Sequence, residues 1–322
     1  MIKPLTEPSE LDALAETEPV LAATAASSVA AFRGEPGRLS CFGEYDETGA
    51  LVAAADLTSR DILLLCERSG LSDEMLDFLK KMAPAGEFAG IRCGGRALPA
   101  LKRHFTFCEY REPAMACSSL AAPPASDFHA EPPPRFSDVR ALLAGADGES
   151  GEENAVLKKD AFSCERRAPA SARSSLAAPP ASEFHAEPPR RFSDVWALLA
   201  EADGEFSKGD PEAWMLRVSR GARGGQTTVW VIYDGEKPAA TASILGRCGS
   251  CGVIAGVATR EEYRGRGMAS RLTYLCAKEL IGSGRTAWLV PSGEPSARLY
   301  EALGFRRIYF QYYCKIRDEE PT

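Results

Sequence analysis

From Gly252 to Ile281 the sequence passes through three kinds of segment without a break. An apolar strand, Gly252 to Thr259, leads through four polar residues into Arg264-Gly265-Arg266-Gly267-Met268-Ala269. A helix then carries Ala269, Leu272, Cys276 and Leu280 on one face. This order requires a sheet with a helix packed against it. The turn points several unpaired backbone N–H groups at one spot, where the helix dipole also favours negative charge. At 265 and 267 a Cβ would hinder positive φ and the close approach of an oxyanion. One helix end contributes only about 0.3 to 1 kcal/mol per charge, so several donors have to act together, with Arg264 and Arg266 adding positive charge.

The rest of the last third follows the same logic. A helix with Pro211 in its first turn and Trp214, Leu216 and Val218 precedes strands at 228–233 and 239–245. After the glycine turn and its helix come a strand at 286–290, a helix at 295–303 and strands within 305–316. The string lacks the spacing of a Walker loop or of a dinucleotide fingerprint.

Arg264-x-x-Gly267-x-Ala269, after Gly256-Val257-Ala258-Thr259, resembles the R/Q-x-x-G-x-G/A signature of the GNAT superfamily of acyl-CoA-dependent N-acetyltransferases. The segment from Glu294 to Phe305 is similar to that family's N-x-x-A-x-x-x-Y-x-x-x-G-F helix. The resemblance implies acetyl-CoA as co-substrate, an amine as acceptor, direct attack in a ternary complex, and no metal. It implies that Arg264, Gly265, Arg266, Gly267, Met268 and Ala269 hold the pyrophosphate. Val257 and Ala258 would pair through their backbone with the pantetheine arm. Tyr300 matches the family's frequent general acid, a phenol that stays protonated near neutral pH, although a tyrosine that only packs or orients the sulfur fits the same position. Glu294, where the family often has Asn, is counted with the cofactor-binding positions and can cap its helix.

The chain departs from the family in one respect that bears on mechanism. Strand 252–259 has no Glu, Asp or His to serve as general base. Glu261 and Glu262 read as solvated charges beside the loop. A water chain, or a carboxylate from the segment Asp203 to Glu212, is left to accept the amine proton. A non-catalytic acyl-CoA sensor or scaffold is therefore the alternative function.

With 322 residues, two domains are expected. Strands at 39–45 and 51–56 flank the turn Asp46-Glu47-Thr48-Gly49. A buried strand at 62–66, a helix from Ser72 to Met82, a strand at 88–93, a helix at 97–104 and a strand at 105–110 follow. The similar element order suggests tandem GNAT-like domains of α/β (α+β) class, each with a mixed, mostly antiparallel sheet flanked by helices. The helix entry Glu67-Arg68-Ser69-Gly70-Leu71-Ser72 lacks the signature spacing, and the last helix of this half has no matching Tyr. The first half is thus expected to be degenerate and to bind coenzyme A poorly.

Between the halves lies a duplication: residues 117–149 return at 173–205, with five of 33 positions changed and an offset of 56. The second copy leads straight into the next domain and is read as an integrated helix, the first as surplus. The expected division is 1–116 (degenerate domain), 117–172 (duplicated Pro-rich insertion) and 173–322 (acetyltransferase domain, core 206–316). His129 and His185 are the same residue in the two copies and read as linker residues.

Charge is uneven. From Phe206 onward 17 Lys and Arg face 12 Asp and Glu, giving +5, which leaves −12 for the first 205 residues. A mildly basic domain suits a polyphosphate, and the acidic whole argues against nucleic-acid binding. Asp203, Glu205, Asp210 and Glu212 hint at a cationic small-molecule amine as acceptor. Ten scattered cysteines read as reduced thiols, with Cys248-Gly-Ser-Cys251 a hairpin turn rather than half a zinc site. Without an apolar signal core or a spanning segment, no membrane partner is expected and the protein is read as cytoplasmic.

Overall fold

The computed structural model describes residues 1–33, 40–58, 62–82, 90–120, 185–203 and 206–316. The first repeat copy beyond Leu120, with His129, and the second copy up to position 184 lie outside them. Twelve strands form one sheet: β1 (Ile2–Pro4), β2 (Cys41–Tyr45), β3 (Leu51–Asp56), β4 (Ile62–Glu67), β5 (Gly90–Gly94), β6 (Phe107–Cys117), β7 (Ala186–Glu187), β8 (Thr228–Asp234), β9 (Lys237–Cys248), β10 (Cys251–Thr259), β11 (Thr286–Leu289) and β12 (Arg306–Ile316). Their spatial order is β1-β2-β3-β4-β5-β12-β6-β11-β10-β9-β8-β7. Only β4 with β5 and β10 with β11 run parallel; every other pairing is antiparallel. A mixed, mostly antiparallel sheet flanked by helices is the fold.

The centre of this order is an exchange of strands. Strand β12, the last of the C-terminal half, inserts between β5 and β6, pairing Gln311 with Gly94 and Tyr312 with Arg111. Strand β6, the last of the N-terminal half, inserts between β12 and β11, pairing Cys117 with Ala287. Each parallel pair is thus continued by a strand from the other half. The seam is polar. Arg92 on β5 donates to both carboxylate oxygens of Glu112 on β6, at 3.1 and 3.2 Å, and Gln311 on β12 donates to the same carboxylate at 2.8 Å. Where strands in the plural were expected within 305–316, there is one, because the neighbour a second strand would supply comes from β6. Strand β6 itself runs seven residues past the expected end at 110, to Cys117.

Eight helices are described: α1 (Asp12–Ala15), α2 (Pro19–Phe32), α3 (Asp73–Met82), α4 (Leu98–Leu101), α5 (Phe192–Ala202), α6 (Pro211–Arg223), α7 (Met268–Gly282) and α8 (Glu294–Ala302). None of the described helices is long and apolar enough to cross a membrane. Helix α3 begins as the sequence suggests, with Ser72 Oγ accepting from Met75 N–H at 3.0 Å. Helix α2 is buried on nearly every side and packs on β9, β10 and α6. Helix α5 comes from the second repeat copy. It buries Val195 and Leu198 against Val218 of α6 and Val229 and Val231 of β8. The alternate β8 residues Trp230 and Ile232 face the core built on α7 and α8. In the C-terminal half α2, α5 and α6 therefore share one face of the sheet, and α7 and α8 the other.

The turn between β9 and β10 is the two-residue hairpin expected at Gly249-Ser250, with Cys248 opposite Cys251. All described cysteines are free thiols.

Candidate active site

Two irregularities in β10 shape the site. The first is a bulge: Ala255 pairs with Ser243 and Ala258 with Thr241, so the span from 255 to 258 on β10 opposes a shorter one on β9. Gly256 sits in it at φ +62°, and Leu199 of α5 packs over it, 3.6 Å from where a Cβ would stand. The second is a splay. Pairing with β11 ends at Val253 opposite Trp288, while β11 turns its other edge to β6, with Leu289 opposite Met115. From Ile254 to Thr259 the β11-facing edge of β10 has no strand partner among the described residues. Such an edge offers N–H and C=O groups to an extended amide ligand. Val257 and Ala258, predicted to serve this purpose, lie on it.

The strand then enters the glycine turn. Gly265 and Gly267 adopt φ of +75° and +74°, and a Cβ on either would meet nothing within 4 Å. No side chain caps α7, whose N-terminal end is left open beside the turn. From beneath, Met268 is buried and Ala269 partly buried in the α7 core. Arg264 Nε donates to Thr259 C=O, and Arg266 Nη2 to Glu262 C=O, both at 3.3 Å, and neither guanidinium has a carboxylate partner among the described residues. The Arg266 guanidinium lies 5.3 Å from the Tyr263 ring centre. The Tyr263 hydroxyl donates to Asp234 at 2.8 Å, fixing the turn to the β8–β9 hairpin. An exposed turn with two left-handed glycines, an uncapped helix end and two arginines without a carboxylate partner fits a pyrophosphate.

Tyr300 reaches the same core from α8. It is buried, its ring centre is 6.1 Å from that of Phe305, and its phenol has no hydrogen-bond partner among the described residues. Burial alone pushes its pKa well above the usual phenol value. Val257, Met268, Ala269 and Tyr300 thus belong to one cluster. Glu294 does not join them. It is the first residue of α8 rather than its cap, and its carboxylate accepts two hydrogen bonds from Arg307 at 2.9 Å. The helix start is closed instead by Ser296, whose hydroxyl accepts from Gly293 N–H at 3.1 Å.

The carboxylates considered for proton transfer are variously engaged. Asp210 caps α6, accepting from Glu212 and Ala213 N–H at 2.9 and 3.2 Å, a role of about 0.5 to 2 kcal/mol. Glu262 pairs with Lys237, and Glu201 with Arg260 at the end of β10. Glu205 lies outside the described residues. Sequence reasoning missed the Glu201–Arg260 pair that ties α5 to the loop, and it missed the bulge, for which a glycine inside an apolar strand is the available signal. It also missed the cluster of tilted and edge-on rings of Trp196, Phe206 and Trp214 between α5 and α6, whose centres are 4.6 to 5.9 Å apart.

Residues 194–305 match the model of the acetyltransferase (GNAT) family. No curated protein matches the chain. A solved structure of a Drosophila melanogaster protein is similar over 99% of both chains, at 12% identity and a TM-score of 0.55, and so shares the fold. A GCN5-related N-acetyltransferase from Sphaerobacter thermophilus aligns over 98% of this chain and 95% of its own, at 16% identity and a TM-score of 0.48. One from Kribbella flavida aligns over 83% and 87%, at 14% identity and a TM-score of 0.47.

Proposed function

Because residues 194–305 form an acetyltransferase domain of the GNAT family, we propose that the chain transfers an acetyl group from acetyl-CoA to an amine. One observation carries this reading: the edge of β10 loses its partner after Val253 and leads directly into an open, uncapped glycine turn. In this reading the backbone of Val257 and Ala258 binds the pantetheine amides. The N–H groups from Gly265 to Ala269 hold the pyrophosphate, with Arg264 and Arg266 contributing charge. Glu294 acts indirectly, by tethering Arg307 beside the start of α8.

The thioester supplies an activated acyl carbon and a thiolate leaving group. The amine attacks that carbon, the C–S bond breaks, and the Tyr300 hydroxyl gives its proton to the departing sulfur. Burial keeps this phenol protonated throughout the neutral range, so the proton is there to give. The amine proton leaves to water, because β10 carries no carboxylate or imidazole to accept it. Holding amine and thioester together supplies much of the rate, as orientation is worth up to about 7 to 11 kcal/mol of barrier. The test is to incubate the protein with acetyl-CoA and a broad amine panel while following free thiol. Amine-dependent thiol release supports the reading. Tight acetyl-CoA binding without release from any amine would replace it with a non-catalytic acyl-CoA sensor.

A further inference from the structure

The second repeat copy supplies β7 and α5. Over residues 186–202 it departs from the first copy, 130–146, at three positions: Arg190 stands for Pro134, Trp196 for Arg140 and Glu201 for Gly145. The residues that the copies share make the apolar bed of the contact. Val195 and Leu198 are buried against Val218, Val229 and Val231, and Asp194 accepts from the Tyr233 hydroxyl at 2.9 Å. The first copy carries the same Val, Leu and Asp at 139, 142 and 138. That bed cannot tell the two copies apart.

The three changed positions can, because each makes a contact that its counterpart cannot reproduce. Arg190 N–H donates to the Tyr233 hydroxyl at 2.9 Å, and its guanidinium donates to Gly235 C=O at 3.0 Å and lies 4.3 Å from the Tyr233 ring centre. A proline has neither that N–H nor a guanidinium. Trp196 lies 4.6 Å from the Phe206 ring centre and 5.7 Å from that of Trp214. An arginine there keeps less apolar area against the rings and brings a charge that has to stay hydrated. Glu201 pairs with Arg260 at the end of β10. A glycine offers no carboxylate and weakens the helix besides. Chain length does not exclude the first copy. Twelve residues, 118–129, connect Cys117 to Ala130, the counterpart of Ala186. They reach about 40 Å when extended, and the ends of β6 and β7 lie about 33 Å apart, counting five strand spacings and the offset along the strands. The choice of copy matters to the site, since α5 sets Leu199 over the Gly256 bulge and holds Arg260 four residues before the glycine turn.

We propose that Arg190, Trp196 and Glu201 select the second copy over the first as the strand and helix that complete the C-terminal half. The two copies are then competitors for one surface, formed by β8 and α6, and three side chains decide between them. The test swaps the deciding residues: Arg190→Pro, Trp196→Arg and Glu201→Gly together with Pro134→Arg, Arg140→Trp and Gly145→Glu. Amide hydrogen exchange read by mass spectrometry follows 192–202 and 136–146, which give distinct peptides, with 268–282 of α7 as the control for an intact fold. In the native protein, 192–202 should be protected. In the swapped chain its amides should exchange at least roughly tenfold faster, and slow exchange should appear at 136–146 instead. Protection that stays at 192–202, or that is lost there without appearing at 136–146, overturns the proposal. A second variant separates choosing a copy from merely holding it: the three second-copy substitutions in a chain lacking residues 118–173. With the competitor gone, protection should return to 192–202. Persistently fast exchange there would mean that the three residues only hold the helix in place, and would overturn the proposal too.

Discussion

The two halves of the sheet each contain a parallel pair that splays, yet the two splays are filled by opposite chemistry. In the C-terminal half, β10 leaves β11 after Val253 and ends in a glycine turn with positive charge and open space. In the N-terminal half, β4 leaves β5 after Leu65 opposite Cys93 and ends in Glu67, which is fully buried. Glu67 Oε2 accepts from Gly70 N–H at 2.7 Å, and its Oε1 has no partner among the described residues. Glu18, at the start of α2, packs onto Gly94 so closely that a Cβ there would stand 2.0 Å from Glu18 Oε1. One splay is open and is proposed to receive an anion; the other is plugged by two acids. Shared topology therefore sets where a cleft can form, and the residues at the end of the parallel strand decide what enters it.

The sharpest way to break this comparison is to alter one glycine in each half. Gly267→Val should weaken acetyl-CoA binding by roughly 100-fold or more, since it disturbs several hydrogen bonds to a charged group, each worth about 1.5 to 3 kcal/mol. The left-handed backbone adds about 1 to 3 kcal/mol of strain, enough to lower melting by only a few degrees. Gly70, at φ +106° in the plugged half, is the control: Gly70→Ala should leave acetyl-CoA affinity unchanged by calorimetry. Equal losses in both variants would mean that the first half also contributes to the cofactor site.

Next in size is Tyr300→Phe. It keeps the ring packing against Phe305 and should lower kcat by about 100-fold with the KM for acetyl-CoA unchanged. Because burial raises the Tyr300 pKa, the native pH profile should show no fall from this group up to about pH 10. The first half has no equivalent: its helix α4 carries no tyrosine. An unchanged kcat in Tyr300→Phe would assign the tyrosine to packing.

The plug itself can be probed by pH. Burial first, then repulsion from Glu67, raises the Glu18 pKa from 4.5 to about 8, with Arg96 opposing. Tyr309 of β12 also faces this acid, and Glu18 helps to raise its pKa. The folded state thus holds a proton that the unfolded chain has released above 4.5. Stability should fall as pH rises from about 4.5 to 8, by at most about 5 kcal/mol. Melting between pH 5 and 9 should show this decline, and Glu18→Gln should flatten it, being close to neutral at pH 5 and stabilising at pH 9.

What could be read from the sequence follows the same division. The strand, turn and helix from Gly252 to Gly282 and the helix bearing Tyr300 were legible because their information is local: periodicity, a glycine turn and a proline in the first helical turn. Helix α2 was not. Pro19 to Phe32 is apolar or small almost throughout, so it has no amphipathic stripe to detect, and it is buried on nearly every side. The strand exchange was also invisible, since the pairings of Cys117 with Ala287 and of Gln311 with Gly94 join residues far apart in sequence. Glu294 shows the reverse failure: a position suited to capping was read as a cap, and a nearby arginine took its carboxylate.

The smallest effect is expected where the sequence is most unusual. Removing residues 118–173 takes out one 56-residue unit and joins Cys117 to Ser174, restoring the same Ser-Ser-Leu-Ala-Ala-Pro-Pro sequence after β6. Twelve residues, 174–185, would then connect β6 to β7. Five strand spacings separate these strands in the sheet, about 24 Å at roughly 4.8 Å each, and Cys117, level with Gly252, is offset from Ala186, level with Thr259, by about 22 Å along the strands; the diagonal is about 33 Å, and twelve extended residues reach about 40 Å. The shortened chain is long enough, and α5 with its contacts to the bulge of β10 is retained. Acetyl-CoA affinity should change by less than about twofold, well under 1 kcal/mol. A large loss of affinity would show that the duplicated stretch takes part in the C-terminal splay, and the contrast between the two halves would then extend to a third region.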